Sequence, residues 1–436
     1  KTMQVRIEKI IIGGQGLARR DDGMVVLTRF VLPGETVEVR EARQHRGYVE
    51  ADLVRVLDPA PERAIPACPY YGTCGGCDFQ HISGPAQLRC KEEMIREALL
   101  RARIPTDPEP LRPVLPSPGF YHYRYRIRLK VGQGGQPGFF RFRSNRIVTI
   151  EQCPVATELL NNALRRLQAS PLPKSLAAMV REIDLLHSPA DNRIHALLLP
   201  EAGMRIDRDL LAGYHHNLAG VQAVWLRTGT GVERLSGDGG PELLRQEFSP
   251  EVCGRSFSLR WPPGSFSQVN AEQNARLLRL VLRLAGVTHG IRVLDLFCGM
   301  GNFAVPLALA GAQVLGVELE PESVAWARNN AETAGCPAAG FLVADVPAAL
   351  STPAIRNGGH KLIVLDPPRQ GLGNEASTRL AELGAGRIIY ISCDPATLLR
   401  DLVKLCGRGY RLRQLTPVDM FPQTHHIETV AFLEKN

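Results

Sequence analysis

The sequence predicts an α/β protein in three parts: a small N-terminal β-barrel over 1–60, a central α/β domain over 61–262 and a C-terminal doubly wound domain over 263–436. Three observations predict it. The first sixty residues break into short apolar runs separated by turn signals, three of the ten cysteines fall between positions 68 and 77, and from Ala271 onward apolar strands alternate with helical segments.

In the N-terminal part, Val5–Ile12, Met24–Thr28, Thr36–Arg43 and Gly47–Leu57 are rich in Val, Ile and Leu, with Gly13-Gly14, Asp22-Gly23 and Pro33-Gly34 between them. About five short strands in sixty residues suit a closed barrel of the OB-like kind. Pro59, Pro61 and Pro66 form a linker, a helix is expected over Gly84–Arg103, and Pro105–Pro118 is too Pro-rich for regular structure. From Tyr121 to Val131 every second residue is apolar, with His122, Arg124, Arg126, Arg128 and Lys130 between them, which predicts a strand with one basic face. Residues 132–260 are mixed α/β with no topology legible in the pattern.

The C-terminal part predicts helix Ala271–Ala285, strand Arg292–Leu296, helix Asn302–Leu309, strand Gln313–Val317, helix Glu322–Ala334 and strand Gly340–Ala344. Strand Lys361–Leu365, helix Glu375–Leu383, strand Arg387–Ser392 and helix Pro395–Leu405 follow, then an apolar strand Val430–Leu433. Such alternation implies a parallel, Rossmann-like sheet that binds its ligand at the carboxyl ends of the strands.

Those ends carry acids: Asp295, Glu318, Asp345 and Asp366. One such acid is a common helix cap; four in succession predict a nucleoside cofactor, with Glu318 on the ribose and Asp345 toward the base. The loop Phe297-Cys298-Gly299-Met300-Gly301-Asn302 opens the first helix. Ala304 stands where a dinucleotide fingerprint has its third glycine, so S-adenosylmethionine, which has no pyrophosphate, fits better than a nicotinamide cofactor.

Cys393 follows the strand Arg387–Ser392 and precedes a helix opened by Pro395, a position expected to favour thiolate. A thiolate beside a methyl donor has a specific use. It adds to C6 of uracil and makes C5 nucleophilic; a base must then remove the C5 proton. Glu428, His425 and His426 are the candidate bases.

Cys68-x5-Cys74-x2-Cys77 clusters three thiols, with Cys153 before Pro154 as a possible fourth. Structural zinc usually takes two Cys-x2-Cys pairs and only one is present, which favours an iron–sulfur cluster.

Net charge is +8. Residues 61–150 hold 14 basic against 7 acidic side chains, while residues 1–60 are nearly balanced at 10 against 9. Seven aromatics and seven Arg or Lys between Phe120 and Ile150, with no acid, predict contact with single-stranded RNA, the basic face of Tyr121–Val131 foremost. The tyrosines on its apolar face are expected in the core. No leader and no apolar run of membrane-spanning length is evident, so a cytoplasmic protein with no membrane association is expected. Nothing calls for a protein partner, and a monomer is expected.

These motifs together resemble the RNA uracil-C5 methyltransferases. Residues 1–58 are similar to the family's RNA-binding TRAM domain. Cys68, Cys74, Cys77 and Cys153 match its [4Fe–4S] ligands, and Gly264-Ser265-Phe266-Ser267-Gln268-Val269-Asn270 matches its cofactor segment. The resemblance implies S-adenosylmethionine contacts from Gln268, Phe297, Asn302, Glu318, Asp345 and Asp366, with Gly299 in the same loop. It also implies Cys393 as nucleophile and Glu428 as base. Having both the cluster and the TRAM domain places the chain nearest the branch that makes 5-methyluridine in 23S rRNA. Another 23S site or tRNA, and more remotely an amino-group nucleic-acid methyltransferase, are the alternatives.

Overall fold

In the computed structural model, residues 2–206, 210, 214 and 220–436 are described. The barrel is closed in the order β1-β2-β3-β5-β4, from β1 (Thr2–Ile10), β2 (Gly16–Arg19), β3 (Val25–Thr28), β4 (Thr36–Gln44) and β5 (Tyr48–Asp58). Alternate residues Val5, Ile7, Ala18, Val26, Val37 and Val39 fill it, the burial that period-2 patterning encodes. Glu35, fully buried, accepts from the backbone N–H of Leu32 (2.7 Å) and Ala60 (3.2 Å) and pairs with Arg63. That carboxylate fastens the barrel to the linker.

The central sheet has the order β12-β11-β10-β9-β6-β7-β8, with β6 (Arg126–Val131), β7 (Pro137–Phe140), β8 (Ile147–Thr149), β9 (Val180–Ser188), β10 (Arg193–Pro200), β11 (Ala223–Thr228) and β12 (Gly231–Gly237). Only β10 and β11 run parallel among these neighbours. Helix Glu158–Ala169 covers one face through Leu160, Leu164 and Leu167. A separate ribbon, β13 (Leu244–Phe248) with β14 (Phe257–Trp261), leads into the last domain.

Two expectations need correction here. The strand anticipated over Tyr121–Val131 begins only at Arg126. Residues 121–125 are irregular because their backbone bonds elsewhere: His122 N to Pro154 O, Arg124 N to Val155 O and Tyr125 N to Val269 O. Nor is its basic face free. Arg126 and Arg128 pair with Asp184, and Lys130 pairs with Glu182, all from the neighbouring β9. An antiparallel neighbour supplied the countercharges. Tyr123 is buried, as the alternation predicts, and donates to Pro422 O at 2.9 Å.

The C-terminal sheet has the order β17-β16-β15-β18-β19-β21-β20. Its parallel half comprises β15 (Arg292–Leu296), β16 (Gln313–Glu318), β17 (Ala339–Val343), β18 (Leu362–Leu365) and β19 (Arg387–Ser392). These strands are near-continuous apolar runs because helices cover both faces. Helices Ala271–Ala285, Ala304–Leu309, Pro321–Thr333, Gly373–Glu382 and Pro395–Cys406 lie close to the predicted bounds. The chain order reverses at β15, whose neighbours are β16 and β18; a crevice opens at such a point. Two antiparallel strands extend the sheet: β20 (Tyr410–Val418), which the sequence reading missed, and β21 (Glu428–Lys435), longer than anticipated.

The Pro-rich segment is irregular but has a role. It runs along the exposed edge of β20, with Arg112 N donating to Leu415 O and Leu415 N to Pro110 O, both at 2.8 Å. Covering an edge strand in this way removes a template for aggregation. Helix Gly84–Ala102 docks beside it and buries Lys91 completely. Lys91 Nζ donates to the equally buried Asp419 Oδ1 at 2.6 Å and to Phe421 O at 3.1 Å. Among the described residues no helix is long and apolar enough to cross a membrane.

Lys91→Met leaves the Asp419 charge buried and unpaired and should cost about 3–5 kcal/mol of stability. The measurement is the urea unfolding midpoint, and the double variant Lys91→Met/Asp419→Leu should recover most of the loss. A single variant as stable as the parent means that the buried pair contributes no stability.

Candidate active site

The loop after β15 carries its ligand-binding character in the backbone. Phe297 has φ +60°, beside Gly299 at +55° and Gly301 at +93°. A bulky residue held in the left-handed region is strained, a condition that concentrates at functional sites. Cys298 N is tied to Val317 O of β16 at 3.1 Å, and Gly299 N donates to Glu318 Oε2 at 3.1 Å. Glu318 Oε1 accepts from the N–H of Leu319 and Glu320. Three backbone donors thus fix the Glu318 carboxylate at the end of β16. Asn302 exchanges two side-chain hydrogen bonds with Asn274 of the preceding helix, at 2.9 and 3.1 Å. Asp345 is exposed and caps the helical turn Val346–Ala349, accepting from Ala348 N at 3.4 Å. Gln268 lies in a crevice with Tyr125, His187 and Trp261.

Beneath the loop sits a group of buried acids. Asp295 is fully buried, neither oxygen has a hydrogen-bond partner among the described side-chain bonds, and burial plus the nearby Asp366 and Glu318 hold its carboxyl well above the usual range. Burial pushes Asp366 up to about 7. Glu428 opens β21 with 4% of its surface exposed; burial and then Asp366 push it well above an ordinary glutamate, and its Oε1 has no partner. Carboxylates crowded in a low-dielectric site resist ionising together.

Cys393 joins this group from the next strand. β19 and β21 pair with Ser392 opposite Thr429, which sets Cys393 beside Glu428. Asp394 caps the following helix by accepting from Thr397 N at 2.9 Å. The position does not favour thiolate in the way the helix start suggested. Burial, then Glu428 and Asp366, push the Cys393 thiol up to about 11, and Arg369, hydrogen-bonded to it, is the group that pulls it down. Burial and two carboxylates outweigh the helix terminus, whose field is confined to about the first turn.

The sulfur lines a cavity of about 130 Å³ with Arg369, Pro395, His425, His426 and Ile427, closed by Ile12 and Gly13 of the barrel. His426 is held neutral, its pKa lowered to about 4 by burial and then by His425. Sequence reading missed two contributors. Arg369 was visible only as the residue after Asp366-Pro367-Pro368, and no pattern marked the barrel turn as part of this wall.

Cys68, Cys74, Cys77 and Cys153 converge on another cavity, of about 590 Å³, that also includes Tyr70, Arg124 and Phe142. Burial raises all four thiols, Cys74 to about 11 and Cys77 to about 12. Four thiols on one cavity are a donor set that a thiolate-bound metal group would use, and a cationic centre there would reverse those shifts. Among the described residues, no three His, Cys, Asp or Glu are gathered tightly enough for one ion.

The family described as tRNA (Uracil-5-)-methyltransferase matches residues 86–338 and 355–436 of this chain, and the TRAM domain matches residues 1–54. The 23S rRNA (uracil(1939)-C(5))-methyltransferase RlmD of Shewanella denitrificans is 36% identical, over 97% of this chain and 93% of its own. The protein of the same name from Nitrosococcus oceani is 36% identical over 98% and 95%. The crystal structure of Pyrococcus abyssi tRNA (uracil-54, C5)-methyltransferase in complex with S-adenosyl-L-homocysteine superposes with a TM-score of 0.74. It is 25% identical and covers 99% of this chain and 100% of its own.

The thiol position is open to a direct check. Alkylation of Cys393 by iodoacetamide in the free protein, followed by peptide mass spectrometry, should accelerate about tenfold per pH unit between pH 7 and 9, because only thiolate reacts. Arg369→Met should slow it further. A rate flat across that range contradicts the raised pKa.

Proposed function

Because the chain belongs to the tRNA (uracil-5-)-methyltransferase family, we propose that it methylates C5 of one uridine in 23S rRNA through a transient bond between Cys393 Sγ and C6. S-adenosylmethionine-dependent uracil-C5 methylation of RNA is the family's chemistry; the target and the covalent step are the finer reading. The observation that carries it is the meeting of Cys393, Arg369, Asp366 and Glu428 at the carboxyl edge of one sheet. The 23S assignment rests on the relatives that match nearly full length, and the tRNA enzyme supports the same chemistry at lower identity.

In this reading Arg369 stabilises the Cys393 thiolate as it adds to C6, and the ring becomes an enolate. C5 takes the methyl group that S-adenosylmethionine supplies. The proton that the Cys393 thiol loses before addition leaves to solvent. Glu428, as carboxylate, removes the C5 proton, and the C6–S bond breaks with its electron pair returning to sulfur as thiolate, which releases 5-methyluridine. The thiolate takes a proton back from solvent, and Glu428 passes the C5 proton out. Phe297, Gly299, Asn302, Glu318, Asp345 and Asp366 are assigned to the methyl donor because their strand ends and loop surround the β15 switch point. Gln268 joins them through the segment before helix Ala271–Ala285. Cys68, Cys74, Cys77 and Cys153 are assigned to a [4Fe–4S] cluster. The sequence pattern supports the cluster over a single zinc, because structural zinc usually takes two Cys-x2-Cys pairs and only one is present.

RNA contact shifts from the ion-paired β6 to the hairpin after it. Arg141, Arg143 and Arg146 are exposed there, Phe140 is 37% exposed, and Phe142 lies under Arg29 (5.0 Å) and Arg143 (5.4 Å). Rings interleaved with guanidinium groups suit splayed bases and phosphates. The target uridine must leave its stack to reach Cys393.

Cys393→Ala should abolish methylation, and wild type with 5-fluorouridine-substituted 23S transcript and cofactor should give a denaturation-stable adduct. Glu428→Gln should lower turnover about 10²–10⁴-fold yet still form the covalent bond to RNA. A Cys393→Ala enzyme active at the parental rate overturns the mechanism, and transfer to tRNA but not 23S transcript overturns the target. Anaerobically purified protein should absorb in the visible and contain about four irons per chain; stoichiometric zinc instead overturns the cluster.

A further inference from the structure

Asp78, the residue after Cys77, does no work in the reaction as described, yet it is a junction of three parts of the chain. Its Oδ1 accepts from the backbone N–H of His425 at 2.9 Å. Its Oδ2 accepts from Arg29 of the barrel at 2.9 Å and meets His425 Nδ1 at 2.6 Å. Asp78 N and Phe79 N both donate to Gln423 O. Gln87 and Gln423 exchange two further bonds, at 2.9 and 3.0 Å. The barrel presses on the same spot. A Cβ on Gly14, which has φ +76°, would stand 2.6 Å from His425 Cβ and 3.0 Å from Asp78 Oδ2.

We propose that Asp78 is a positioning residue for the methyl-transfer site, holding His425 as a fixed wall of the cavity that receives the target base. The inference rests on the preceding assignment of that cavity to the uridine. His425 lines it with Cys393 and Arg369 and packs against His426 with ring centroids 4.1 Å apart. A carboxylate already bound to Arg29 acts as acceptor, so His425 Nδ1 donates to it. One side chain thereby sets the backbone and ring orientation of His425, three residues before Glu428. The barrel turn and the cysteine loop share this carboxylate, so their seating is transmitted to the catalytic cavity. Misplacing a positioning group by about 1 Å can cost about 10²-fold in rate.

The test uses the full chain with its metal group, on unmodified 23S transcript. At a temperature well below its thermal midpoint, which the unpaired Arg29 lowers, Asp78→Ala should lower kcat about 10–100-fold while KM for RNA and visible absorption stay near wild type. Asp78→Asn, which retains an acceptor oxygen, should recover most of the rate. His425→Ala should lower kcat to a similar degree, and the double variant Asp78→Ala/His425→Ala should be no slower than His425→Ala alone. If Asp78→Ala loses its visible absorption, His425→Ala, which leaves the cysteine loop intact, decides: a wild-type kcat there overturns the proposal. Additive losses, or an Asp78→Asn enzyme as slow as Asp78→Ala, also overturn it. Cys393→Ala run alongside separates the two readings. If it stays active, the covalent mechanism fails; if it is dead while Asp78→Ala turns over normally, only the positioning role fails.

Discussion

The antiparallel pairing of β21 with β19 is the constraint on which the site depends. Parallel strands alone bring cofactor-binding loops to one edge of a sheet, but each contributes only its own carboxyl end. β21 runs the other way, so its first residue lies at that same edge. Ser392 opposite Thr429 then sets Glu428 beside Cys393, although 34 residues separate the two in the chain. β20 returns the chain to make this possible, and the Pro-rich segment covers the edge that β20 would otherwise expose.

That geometry is costly in electrostatic terms. Asp295 and Glu428 are buried and Asp366 is half-buried, all three are displaced upward, and Cys393 is displaced with them. Arg369 is the cation that touches the thiol. Unpaired acids and a protonated thiol describe a site poised for charge that arrives with its substrates, since buried groups ionise when a countercharge enters. The strained Phe297 loop belongs to the same pattern. Among the described residues, Asp295 and Glu428 have no cationic partner at this edge, whereas Lys91 and Asp419, equally buried but outside it, form an ion pair.

The parts of the molecule meet through apolar clusters, Ile10 and Leu32 of the barrel with Phe79, Ile82 and Met94, and Leu197 and Trp225 of the central sheet with Leu277 and Val293, and polar contacts join them as well. Glu35 with Arg63 fastens the barrel to the linker, His81 bridges Tyr71 and Val31 O, and Asp78 joins the barrel, the cysteine loop and the catalytic edge. Directional bonds of this kind set a specific orientation that non-directional apolar contact between the parts does not.

The sequence by itself determined the architecture of the parallel sheet, because apolar strands buried on both faces and capped helices leave a pattern in consecutive residues. It determined the barrel by the same local logic. It also singled out Cys393, Glu428 and the cysteines at 68, 74, 77 and 153, whose residue types and flanking motifs carry the resemblance. Tertiary structure alone decided what charge does. The basic face of β6 reads as an RNA surface until β9 supplies Glu182 and Asp184, some fifty residues away. The thiol reads as activated until burial and two carboxylates reverse its shift. Burial and countercharge are properties of what packs against a residue, and no neighbour in the chain encodes them; for the same reason Asp78 and Gly14 became legible only once the fold had set them against His425.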